Sequence, residues 1–289
     1  MNRLILPAVF AAVFCGALAT GPGAMAQTVP VTPQTVPAGD PVDVLFEVLE
    51  LDAMIAVLRQ EGLAYGETLQ ADLFPGGGSG WAGQVSAIYD ADRMSQEFRQ
   101  VLRHELPADQ VSAMLAFFGS DLGRRVTGLE ISARAALLDD GVEEAANQMR
   151  DAMATDQPTR LAGLTRFVDA NDLIDANVSS ALNANLAFYQ GLVDGGGFPS
   201  DMTQADILRD VWSQEAAIRV ETRDWLLAFL GMAYQPLADA DLDAYIAFSL
   251  TPEGRGLNRA QFAAFDVLFA GISRKLGMAA AGHMAGEEL

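Results

Sequence analysis

Nucleophiles and metal ligands are scarce in this chain. It has one cysteine, Cys15, and two histidines, His104 and His283. His104-Glu105 opens like the metal-binding helix of a zinc protease, but the second histidine would fall at position 108, which is Ala108. Asp239, Asp241 and Asp243 alternate like the start of a calcium loop, yet the required glycine and glutamate are Ala244 and Leu250. Those acids read instead as first-turn residues that complement a helix dipole. Ser79 has Gly77 two residues before it but Trp81 two after it, which is not a nucleophile elbow. The run Gly78-Ser79-Gly80-Trp81-Ala82-Gly83 has the spacing of a dinucleotide loop, but a helix and not a strand precedes it. Lys275, the sole lysine, follows Arg274 without a phosphate-binding glycine loop. No catalytic residue, cofactor site or metal site is assigned on these patterns.

One polar constellation stands apart. Glu61 lies on the apolar stripe Met54, Leu58, Tyr65, Leu69, four residues before the tyrosine. Shifted by 124 residues, Asn185 lies on Val178, Leu182, Tyr189, Val193, again four before a tyrosine. A polar side chain on a face meant for burial needs a hydrogen-bond partner or, for an acid, a raised pKa. Arg124 and Arg255 are the candidate partners. The patch Glu61, Tyr65, Asn185, Tyr189, Arg124 and Arg255 is thus either a set of structural hydrogen bonds or the lining of a ligand cleft between two halves.

The elements that must position these residues are helical. From Pro41 onward apolar residues recur at three and four, and no alternating strand pattern or hairpin signal is found. Asp40-Pro41, Asp90, Ser120 and Thr251-Pro252-Glu253 mark helix starts by cap, first-turn proline or first-turn acid. Pro107 begins another run, and Asp139-Asp140-Gly141 interrupts the helix that Ser120 starts. The count comes to roughly a dozen helices by this pattern. Loops are expected at residues 75–80 (PGGGSG) and 195–200 (GGGFPS).

The chain also matches itself. A shift of 131 places Trp81 on Trp212, Phe98 on Phe229 and Gly123-Arg124 on Gly254-Arg255, with 8 identities in 32 positions from Leu106 to Leu137. Upstream the shift is 124, which also pairs Phe74-Pro75 with Phe198-Pro199. The reading is an all-α fold of two tandem related helical-bundle units, residues 41–157 and 158–289, packed as one body. In it both tryptophans are core anchors, and the first-turn glycines admit a close helix contact.

Residues 1–26 read as a signal peptide: a short basic start at Arg3, an apolar run Leu4 to Leu18, and Ala24-Met25-Ala26 before a cleavage ahead of Gln27. Residues 27–40 read as a linker with Pro30, Pro33 and Pro37. No later run is long and apolar enough to cross a membrane, so the mature chain is expected to lack a transmembrane segment. With 38 acidic and 18 basic residues the formal charge is −20, which argues against nucleic acid and anionic lipid as partners.

The segments AFFGSDLGRR and AYIAFSLTPEGRGLNRA, with VDANDLIDANVSSALNANLAFYQGLVDGGGFP between them, resemble a secreted proteobacterial family known as a domain of unknown function, DUF2059. The resemblance implies a helical periplasmic protein and brings no activity, cofactor or catalytic residue. The expected function is a soluble periplasmic protein that binds an envelope protein or a small molecule without catalysis. The alternatives are a carboxylate hydrolase of cell-envelope material with Glu61 as acid, and an assembly factor with an exposed apolar groove.

Overall fold

The computed structural model describes residues 39–75, 78–197 and 203–287. The leader at 1–26, most of the Pro-rich linker and the pair Phe198-Pro199 lie outside the described residues. Among the described residues there are thirteen helices and no strand. In chain order they are α1 (Pro41–Val48), α2 (Leu51–Leu73), α3 (Trp81–Ile88), α4 (Ala91–Glu105), α5 (Ala108–Phe118), α6 (Asp121–Ala136) and α7 (Asp140–Asp156). Then follow α8 (Pro158–Ala170), α9 (Leu173–Asp194), α10 (Gln204–Ser213), α11 (Glu215–Tyr234), α12 (Asp239–Ser249) and α13 (Pro252–Glu287).

Local chemistry sets most of the starts. Asp40 accepts from the Val42 amide at 3.0 Å ahead of Pro41, and Asp90 accepts from the Arg93 amide at 2.9 Å. Ser120 and Thr251 cap α6 and α13 in the same way, each accepting from the amide of the glycine three residues on, at 3.1 and 3.0 Å. Thr203 and Asp206 form a reciprocal capping box on α10. α2 and α9 lack a side-chain cap. Each follows a residue in the left-handed region, Glu50 at φ 50° and Asp172 at φ 52°, the two described non-glycine residues with positive φ.

Two pairs of helices start at the sequence shift. α5 and α12 both span eleven residues and start 131 positions apart, as α6 and α13 do. The two series then diverge. α6 stops at Ala136 and α7 restarts at Asp140 under the Asp139 cap, whereas α13 continues unbroken for 36 residues.

Packing interleaves the two series. α13 lies along α9 and also reaches α3, α4 and α5, while α11 contacts α6, α7, α8 and α9. Phe98 meets Phe265 edge-on at 4.7 Å, and Phe117 stacks on Phe248 at 4.3 Å, so aromatic rings join early and late helices in one apolar core. Along the α9–α13 seam the backbones touch. A methyl group on Gly191 would collide with the Arg274 carbonyl, and one on Gly277 with the Phe188 carbonyl. Gly123 serves a similar purpose, since a methyl there would collide with Phe118 at the end of α5.

The tryptophans part company. Trp81 is 1% exposed, donates its indole N–H to the Gly66 carbonyl at 2.7 Å, and lies edge-on to Phe74 and to His283 of α13. Trp212 is 65% exposed. The reading of both as core anchors therefore holds for Trp81 alone. The far half of α13 covers α3, and among the described residues no helix does the same for the ring on α10.

Candidate functional site

α6 turns Thr127, Glu130 and Arg134 inward, at spacings of three and four that share one face. All three are buried. Glu130, 1% exposed, receives on Oε1 the hydroxyl of Tyr234 from the end of α11 and that of Tyr245 from α12, the latter at 2.8 Å. The two tyrosine rings meet edge-on at 5.6 Å, and Phe167 packs against both. Phe117 stacks on the other side of Tyr245. Glu130 Oε2 and Thr127 Oγ1 are buried without a hydrogen-bond partner among the described residues.

This surrounding dictates the protonation state. Burial pushes the Glu130 carboxyl up to about 8, against the opposing pull of the two tyrosine hydroxyls. Burial, and then the Glu130 charge, raise the Tyr234 hydroxyl well above its ordinary value. At neutral pH Glu130 is thus a neutral acid held by two phenols. The group could pass a proton, but a wall of rings separates it from solvent.

One turn further along α6, Arg134 forms a two-pronged ion pair with Glu61 of α2, Nε to Oε1 and Nη2 to Oε2, both 2.8 Å. Its guanidinium lies 5.7 Å from the Trp225 ring centroid. The Glu61 side chain is 25% exposed, so this pair sits at the rim of the polar seam. Replacing Arg134 by Ala leaves the half-buried Glu61 carboxylate unpaired and empties a packed space beside Trp225. A loss of about 2–4 kcal/mol in chemical denaturation is expected, against about 1 kcal/mol for Glu61→Gln.

The six residues singled out from the sequence fall into separate places. Glu61 is paired, with Arg134 and not with Arg124. Tyr65 is half-buried, and burial raises its hydroxyl above the usual tyrosine range. Asn185 donates to Gln214 Oε1 at 2.9 Å, Gln214 donates to Asp210, and Tyr189 donates to the same Asp210 carboxylate at 2.8 Å. This ladder pins α10 to α9. Arg124 is exposed and reaches Asp121 at 2.6 Å and the Gly119 carbonyl. Arg255 is exposed on α13. The stripe argument that selected Glu61 applies equally to Glu130, which lies in register with Gly123, Val126 and Ala133, and it could have been found the same way.

A surface depression of about 400 Å³ opens beside Arg59, Ser86 and Asp90. Its cation is already engaged: Arg59 donates to the Ser86 and Tyr89 carbonyls and to Ser86 Oγ. Among the described residues no group of three or more His, Cys, Asp or Glu side chains could hold a metal ion. No described helix is long and apolar enough to cross a membrane.

Fold and site thus describe an all-helical bundle with a sealed polar seam. Over residues 92–151 the chain matches the family described as "Uncharacterized protein conserved in bacteria (DUF2059)", the family its sequence resembles. The matched segment runs from α4 to α7 and includes Glu130 and Arg134. No curated protein and no solved structure matches the chain.

Proposed function

We propose that this chain is an exported protein-binding protein without catalytic activity. In this reading a leader over residues 1–26 is removed before Gln27, and a Pro-rich linker leads into two related helical units, 41–157 and 158–289. The shared boundaries of α5 with α12, and the shared start of α6 with α13, support the duplication. One observation carries the function: the two acids on the inward faces, Glu61 and Glu130, are engaged by Arg134 and by tyrosine hydroxyls, whereas a large aromatic side chain, Trp212, stands in solvent. Glu61, the carboxylate nearest to an enzymatic role, has both oxygens occupied by Arg134.

Native mass spectrometry of the protein recovered from its own envelope fraction tests this. A bound polypeptide is the expected result. A retained small molecule in its place would overturn the protein-partner reading. Turnover of an envelope polymer that Glu61→Gln abolishes would overturn it in favour of carboxylate hydrolysis.

A further inference from the structure

α10 and α11 are separated by a single residue, Gln214, whose backbone stays near helical values at φ −88° and ψ −15°. The buried residues Ile207, Val211, Gln214, Ile218 and Thr222 continue one inner face through that junction. The outer face is therefore continuous as well. Along it Leu208, Trp212, Ala216 and Val220 recur at intervals of four, and all four are exposed, Val220 by 61%. Such spacing on a solvent-facing helix is the pattern that one amphipathic helix offers to another.

The surrounding charge is acidic. Asp206, Asp210, Glu215, Glu221 and Asp224 lie on the same two helices, and Asp175 reaches in from α9. Arg209 is engaged by Asp206 at 2.7 Å and Arg219 by Glu215 at 2.8 Å and Asp175 at 2.6 Å, and with exposed Arg223 the two helices set three arginines against these six acids. With a whole-chain charge of −20, two copies meeting at this face would repel. A partner bearing cations beside its apolar stripe would be attracted.

We infer that the Leu208–Trp212–Ala216–Val220 face is the docking site for a basic amphipathic helix of another protein. This rests on the protein-binding reading above and names the chemistry of the partner. Trp212 is the anchor, as a large and rigid side chain that loses its remaining solvent contact on binding. The acids on either side set orientation and confer salt sensitivity.

The test titrates the purified protein with a synthetic 18-residue helical peptide carrying leucines at spacings of three and four flanked by lysine and arginine. A second peptide has glutamate at every flanking position. Tryptophan emission and calorimetry are the readouts, and circular dichroism verifies that Trp212→Asp keeps the fold. The basic peptide is expected to bind at least about tenfold more tightly than the acidic one, and to weaken by about tenfold or more in the Trp212→Asp variant. Raising the salt should weaken it too.

Equal binding of the two peptides, or binding indifferent to Trp212→Asp, would overturn the proposal. So would a dimer in sedimentation that Trp212→Asp dissolves, because a second copy would then be the occupant. A native polypeptide partner that stays bound to the Trp212→Asp protein would sink this face while leaving the protein-binding function standing. Failure of both peptides together with recovery of a bare chain would remove both.

Discussion

Replacing Gly277 by Ala is expected to cost about 3 kcal/mol or more, with a matching fall in the denaturation midpoint. Alanine is the better helix former by about 1 kcal/mol, so a neutral helix interior would gain from this change. Gly277 is not neutral. The added carbon would meet the Phe188 carbonyl, with the Leu192 nitrogen 2.9 Å away and the Gly191 Cα 3.1 Å away. These are backbone atoms, which cannot rotate aside as the end of a side chain can. Relief requires α9 and α13 to separate, and that loosens the apolar side chains held along the whole seam. Gly282 on the same helix is the control, because a carbon there meets nothing within 4 Å. Gly282→Ala should leave stability unchanged or raise it by up to about 1 kcal/mol. Equal effects at the two positions in urea denaturation would show that the seam is not closely packed.

The second large effect is a pH dependence confined to one residue. Glu130 has its carboxyl raised to about 8 in the folded protein, whereas the unfolded chain releases that proton near the ordinary glutamate value. Below the ordinary value both states are protonated and the group contributes no dependence. Between the two values the folded state holds a proton that the unfolded state has lost, so stability falls as pH rises. Above about 8 both states are ionised and the loss levels off. Glu130→Gln keeps an oxygen for the two tyrosines and removes the titration. The difference in unfolding free energy between Glu130→Gln and the parent chain should therefore grow from pH 5 to pH 8, by up to about 1.4 kcal/mol per pH unit where it is steepest. Denaturation midpoints across that range measure it. A difference that does not change with pH would mean that the carboxyl titrates normally.

Both effects show where sequence reasoning reaches and where it stops. Caps and first-turn prolines are local, so Asp40, Asp90, Ser120 and Thr251 announced their helices without any knowledge of neighbours. The glycine and phenylalanine matches at a shift of 131 anticipated helices that begin at equivalent positions. Burial is not local. Glu61 and Glu130 sit on stripes of the same kind, and only the arrival of Tyr234 and Tyr245, more than a hundred residues downstream, makes Glu130 the sealed one. The tryptophans teach the same lesson: residues matched in sequence do not sit alike, because Trp81 opens α3 under the far end of α13 whereas Trp212 lies in the last turn of α10, in solvent. The left-handed junctions at Glu50 and Asp172 left no trace in the pattern, since neither is a glycine or an asparagine.

α13 has one more consequence. At about 1.5 Å per residue its 36 residues form a rod on the order of 50 Å long, and its far end brings His283 onto Phe74 and Trp81. The covering of Trp81 thus waits on a residue about 200 positions downstream, a contact of high sequence separation. A chain cut ahead of His283 loses the ring that lies edge-on to Trp81. Arrival of α13 is thereby the event that covers α3.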